Sequence, residues 1–177
     1  MRYKPTIVIS AFPACGKSYM FKNHNGKPYT MLDSDSSEFS WIKDNKGNNT
    51  KERNPEFPEN YIKHIKDNIG KVDVIFVSSH SVVRKALNKN NINFFMVYPD
   101  KSMKEEWVSR FRERGNDEKF ISFILNNWDD FIDEIEVEDK CLKEKLSSNS
   151  SSQYITNEYL HGCFDTSMGN LSQLWWN

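Results

Sequence analysis

The sequence has little with which to build a disulfide or metal scaffold. Its three cysteines, Cys15, Cys141 and Cys163, are odd in number and far apart, and no two form a Cys-x-x-Cys pair. Neither a disulfide framework nor a zinc site is indicated. No apolar run approaches the roughly 20 residues that cross a bilayer. Net charge is nearly absent as well, −1 from 24 basic and 25 acidic residues, so no global field recruits nucleic acid or an anionic membrane. The opening "MRYKPTIVIS" has too short an apolar part for a signal peptide, and charged, helix-breaking residues precede it. A cytoplasmic location is therefore expected. No internal repeat stands out. What is present is a chain of 177 residues with 28% charged and 14% aromatic residues, the balance of a globular domain with a sizeable core.

Strand and helix signals alternate along the chain. Thr6–Ser10 reads as a short buried strand, β-rich and bounded by Pro5 and by "AFPACG". A helix is expected from Lys17 to about Asn23, then a strand in "PYTMLDSD" that ends at Asp33–Asp35. A long polar segment, Ser36–Asn60, follows with few periodic apolar positions. "PENYIKHIKDNIG" places Tyr61, Ile62, Ile65 and Ile69 on one helical face. "VDVIFVSSH" and "INFFMVYPD" are apolar runs that turn polar at their ends, with the helical "SVVRKALNKNN" between them. "SMKEEWVSRFRERGND" and "DEKFISFILNNWDDFIDEIE" read as helices separated by Gly115 and Asn116. Phe94, Phe95, Trp107, Phe111, Phe120, Phe123, Trp128 and Phe131 recur at core-like spacing. "SSNSSSQ" reads as a linker, and the remainder, ending in Trp175–Trp176, is a weakly patterned tail, either docked or partly disordered. The division is residues 1–146 as the main domain and 147–177 as linker and tail of unassigned role.

Strands that are apolar on both faces and alternate with helices predict an α/β fold with a parallel sheet covered on both sides. Ligands of such sheets bind beyond the carboxyl ends of the strands. "ACGKS", "DSD", "SSH" and "YPD" all fall at such ends.

The first of these carries the most chemistry. Gly-x-x-x-x-Gly-Lys-Ser/Thr after a strand and opening a helix is a phosphate cradle. Gly16 lets the backbone wrap close with its amides inward. Lys17 reaches the outer phosphates, the Ser18 hydroxyl can ligate Mg²⁺, and the helix start adds partial positive charge. The candidate contacts are Pro13, Ala14, Cys15, Gly16, Lys17, Ser18 and Tyr19. Ala11 stands where such a loop usually has its first glycine, a departure that costs something only if the position needs positive φ. Cys15 reads as a small filler rather than a nucleophile, although a helix start can lower a thiol pKa.

"AFPACGKS", a strand ending in "DSD" and the later "RFRERG" together resemble P-loop kinases of the nucleoside monophosphate and shikimate kinase type. The layout is also similar to small P-loop proteins of phages and Firmicutes. The resemblance spans about Thr6–Ile135. It implies a three-layer P-loop NTPase fold, a requirement for ATP and Mg²⁺, and phosphoryl transfer to a small acceptor, with a nucleoside monophosphate preferred. By the same resemblance Asp33 joins Ser18 on the metal side. Asp35 faces the acceptor, as a general base. Arg110 and Arg114 form an arginine lid that neutralises the transferring phosphoryl group together with Lys17. Arg110 and Arg114 are four apart, on one helical face; Arg112 points elsewhere.

Each reading has a plainer rival. The aspartates can be helix caps, and the arginines a solvated face near a helix C-terminus. His80 can be a capping or loop histidine. In the 36–60 segment Phe39 and Trp41 stack on a base and Arg53 holds a phosphate, or the segment is a mobile loop with two aromatics folded inward. The strand before "SSHS" has its only acid, Asp73, at its start, whereas such kinases usually have one near the end. That shifts the metal role to Asp33 and leaves a nucleotide-binding switch or inactive module as the rival from another class. A polynucleotide end is disfavoured as acceptor by the near-zero net charge. Oligomeric state stays open.

Overall fold

The computed structural model describes residues 5–174. The strand β1 (Ile7–Ala11) is buried along its whole length, because its β-branched side chains face apolar neighbours on both sides of the sheet. It is followed by α1 (Lys17–His24), β2 (Met31–Asp33), a short α2 (Ser37–Ser40), β3 (Trp41–Lys43), β4 (Asn49–Arg53), α3 (Glu59–Asn68), β5 (Val74–Ser78), α4 (Ser81–Lys89) and β6 (Phe95–Pro99). The chain continues through α5 (Lys104–Glu113), α6 (Glu118–Asn126), α7 (Trp128–Glu136), β7 (Leu142–Leu146) and α8 (Asn157–Leu174). β2, β5, β1, β6 and β7, in that order, form one sheet in which every pairing is parallel. The α/β expectation is met, with helices flanking a central parallel sheet.

Register fixes what faces the loop after β1. Ala11, the last residue of that strand, lies opposite Ser78 on β5 and Val97 on β6. β5 is interposed between β1 and β2, so the "DSD" turn and the loop flank the end of β5. Asp73 sits at the other end of that strand, where its carboxylate accepts from the Thr30 amide (2.8 Å) and hydroxyl (2.9 Å), well away from the carboxyl edge.

Several elements depart from the sequence expectation. β7 was not expected: "LKEKL" has the charge of a solvated turn, but as an edge strand only Leu146 is buried, and edge charges protect against stray pairing. The polar 36–60 segment contains the antiparallel β3–β4 hairpin, whose turn is held by the Asp44 carboxylate accepting from the Lys46 and Asn48 amides. The long helix expected over "DEKFISFILNNWDDFIDEIE" is two, interrupted at Asn127. "YPD" ends in a cap, with Asp100 accepting from Ser102 N. Trp107, Phe111 and Trp128 are fully buried as expected, whereas Phe123 is exposed. The tail packs against the core, burying Ile155 ahead of α8 and Leu160, Cys163 and Phe164 within it and stacking Phe164 on Tyr29 at 4.5 Å. Trp175 and Trp176 lie outside the described residues. Among the described residues no helix is long and apolar enough to cross a membrane.

Candidate functional site

The loop between β1 and α1 wraps through two left-handed residues, Ala14 (φ 66°) and Gly16 (φ 103°). Ala11 is not among the positive-φ residues, so its departure from glycine carries no backbone penalty. Alternating hand turns successive amides into one concavity. Among the described residues the amides of Ala14, Gly16, Lys17 and Ser18 meet no acceptor, which is what a cradle for an oxyanion requires. Lys17 folds back so that Nζ donates to Ala11 O at 2.8 Å. Burial holds its pKa below the usual lysine value, because desolvation penalises the ammonium.

The opposite face of the same loop is held from outside. Trp107 Nε1 donates to Pro13 O at 2.7 Å, Arg110 Nη1 to Ala14 O at 3.3 Å, and the Ile155 amide to Cys15 O at 2.9 Å. Cys15 is enclosed behind the loop, and burial pushes its thiol pKa up to about 12. It is a filler and holds no thiolate at neutral pH.

The structure separates the two arginines that the sequence paired. Arg110 is 3% exposed and lies between the rings of Trp107 (4.0 Å) and Tyr154 (3.9 Å), bonded also to Gln153 O and Glu106. Its donors are turned toward the scaffold. Arg114, one turn on, is exposed, and its charge reaches Lys17 and Cys15. Arg112 points outward and pairs with Glu118 at 3.3 Å. Tyr19 is exposed on the first turn of α1.

Asp33 and Ser18 are brought together: Ser18 Oγ donates to Asp33 Oδ2 at 2.8 Å. Among the described residues no three His, Cys, Asp or Glu side chains cluster as a metal cage. A hydroxyl beside a carboxylate is a hard-oxygen pair, suited to Mg²⁺, which takes few protein ligands and completes its shell with water and phosphate. Asp35 is exposed, and its Oδ1 accepts from Ser37 N at 2.9 Å, so it closes the turn. Its charge still reaches Lys17 and His80.

His80 starts α4, but its side chain makes no capping bond. Lost hydration, with the charges of Arg53, Arg84 and Lys17, holds its pKa below the usual histidine value. Arg53 lies over Trp41 at 3.9 Å. Phe39 packs on Tyr61 and His64. Sequence reasoning missed Tyr61 as a site residue and placed it only in the core. Its fully buried hydroxyl donates to Ser34 O at 2.7 Å and accepts from Ser78 N at 3.4 Å, tying the "DSD" turn to the end of β5. A tyrosine on the apolar face of α3 was the one available signal, since a buried tyrosine must place its hydroxyl.

No protein-family model and no curated protein matches the chain. Among solved structures it matches the crystal structure of a gluconokinase from Sinorhizobium meliloti 1021, with a TM-score of 0.55 and 14% identity over 98% of this chain and 99% of that one. At that identity the likeness speaks for the fold alone, an α/β core in which helices flank a parallel five-stranded sheet.

Proposed function

We propose that the chain is an ATP- and Mg²⁺-dependent kinase that transfers a phosphoryl group to a small acceptor, with a nucleoside monophosphate, through a phosphate oxygen, as the preferred acceptor. The observation that carries this reading is the Ser18–Asp33 pair at 2.8 Å beside a loop whose Ala14, Gly16, Lys17 and Ser18 amides meet no acceptor among the described residues. In this reading the loop amides and Lys17 hold the phosphates, Ser18 and Asp33 hold the metal, and Arg114 faces the transferred group. Asp35 faces the acceptor, and receives its proton where the accepting atom is a hydroxyl, and Trp41 with Arg53 borders the acceptor. Bound MgATP would supply the phosphoryl group; the residues supply positioning and charge neutralisation, which is most of what such transfer needs. A cytoplasmic location goes with this reading.

One observation favours a binding module without turnover: β5 ends in Ser78 where an acid would be expected. Asp33 answers it, because its carboxylate already reaches Ser18. The deciding experiment measures ATP consumption with a panel of nucleoside monophosphates and, given the structural neighbour, sugar acids. Acceptor-dependent turnover supports the kinase. A sugar acid as the only acceptor replaces the nucleotide assignment. Binding without turnover supports the module.

A further inference from the structure

We propose that Arg110 and the segment 153–155 are positioning elements, which hold the phosphate loop in its binding conformation by gripping the outward face of its backbone. This rests on the reading of the loop as nucleotide-binding. Three consecutive carbonyls, those of Pro13, Ala14 and Cys15, each accept a bond from a group outside the loop. A peptide plane has its amide and its carbonyl on opposite edges, so fixing three carbonyls outward keeps the following amides, those of Ala14, Cys15 and Gly16, from turning out. The Cys15 amide is used within the loop, on Phe12 O, which leaves Ala14 and Gly16 directed by the grip, with Lys17 and Ser18 following on the helix start.

Arg110 is the keystone of this grip. One Nη1 bonds both Ala14 O and Gln153 O (2.9 Å), and Nη2 reaches Gln153 Oε1 at 3.4 Å. The two aromatic rings fix its plane, and Glu106 at 3.1 Å balances its buried charge. The tail closes against the loop at two further points: the Ile155 amide on Cys15 O, and the Tyr154 ring, 3.5 Å from where a Gly16 Cβ would be. The tail helix is stitched to the same region by Asn157 on His24 at 3.2 Å. The C-terminal stretch thereby becomes part of the nucleotide site without contacting phosphate. Binding linkage is reciprocal, so MgATP that selects the gripped loop must also tighten the tail.

The test combines MgATP affinity with hydrogen exchange over residues 150–164 in the full chain. In the wild type, MgATP should slow exchange of the Ile155 amide. Arg110→Met keeps the hydrophobic stem between the rings, and Arg110→Lys keeps the charge but not the fork. Both should weaken MgATP by about tenfold or more, the scale of misplacing a binding group, and lose the nucleotide-dependent protection, with melting temperatures reporting the fold. Wild-type affinity in Arg110→Lys overturns the positioning role and leaves charge alone. Tail exchange indifferent to bound MgATP overturns the coupling. A wild type that binds no MgATP fails the nucleotide reading itself, and the proposal with it, and is distinguishable because the variants are then not the cause.

Discussion

Ser18 and Asp33 bond to each other across the end of a strand that belongs to neither. Ser18 follows β1 and Asp33 ends β2, and β5 lies between those strands. The contact is possible because β5 finishes in the small Ser78, whose carbonyl accepts from Ser10 Oγ at 3.0 Å. In the proposed kinase, the carboxylate that the middle strand lacks would come from the next one.

Asp33 and Asp35 should separate in a mutational test. Asp33→Asn should raise the Mg²⁺ concentration needed for turnover and leave acceptor KM nearly unchanged. Asp35→Asn should leave MgATP binding intact and lower kcat by roughly 10²–10⁴ if it is the general base. Steady-state kinetics against Mg²⁺ and acceptor, with melting curves, checks both. Two folded variants with wild-type kinetics would leave "DSD" as a cap and turn.

Loop backbone conformation predicts opposite outcomes for glycine and alanine. Gly16→Ala places a Cβ at φ 103°, where the cost is strain of about 1–2 kcal/mol rather than a clash, and ATP affinity should fall. Ala11→Gly, in an extended and fully buried strand residue, should lower stability by about 1 kcal/mol and leave ATP affinity within roughly twofold, as expected of a site that needs no positive φ. Chemical denaturation and calorimetry read both. A large gain in affinity from Ala11→Gly would contradict the account.

Lys17 supplies a pH signature. Its pKa lies below the usual value because burial favours the neutral amine, whereas bound polyphosphate favours the ammonium. As pH rises through the lowered pKa the free protein loses that charge, so affinity should decline above that pKa and binding there should take up a proton. Well below it, with Lys17 charged in the free protein as well, its uptake should vanish. Calorimetry across pH in buffers of different ionisation enthalpy measures this, and an identical uptake profile in Lys17→Ala would assign the proton elsewhere.

Tyr61→Phe keeps the ring but strands Ser34 O and Ser78 N, a loss of about 1–3 kcal/mol. If the hydroxyl also sets the "DSD" turn, the variant should need more Mg²⁺ for half-maximal turnover. A drop in melting temperature with unchanged Mg²⁺ dependence would confine Tyr61 to stability.

β1, β5 and β6 were legible because strands buried on both faces need uninterrupted apolar residues, and the polar ends of those runs pointed to the site. β7 was not, since an edge strand can be "LKEKL" and remain paired. The hairpin was hidden for the same reason, with both faces solvated and its turn set by Asp44. The strand–helix turn at Gly16, Lys17 and Ser18 and the strand end at Asp33 were legible because short motifs carry their own geometry. The grip on the loop was not: Trp107 meets Pro13 across 94 positions, and no local pattern encodes a partner at that distance. Arg110 and Arg114 look equivalent by helical spacing; the ring of Tyr154 and the bonds to Ala14 O and Gln153 O, all distant in sequence, together with the ring of Trp107, set Arg110 apart.

Whether the loop from Pro13 to Ser18 binds the phosphates of MgATP is read by isothermal calorimetry of MgATP with the wild type and Lys17→Ala. The wild type should bind saturably, and a Lys17→Ala protein of unchanged fold should lose most of that affinity. Equal binding by the two proteins would leave the loop without that role.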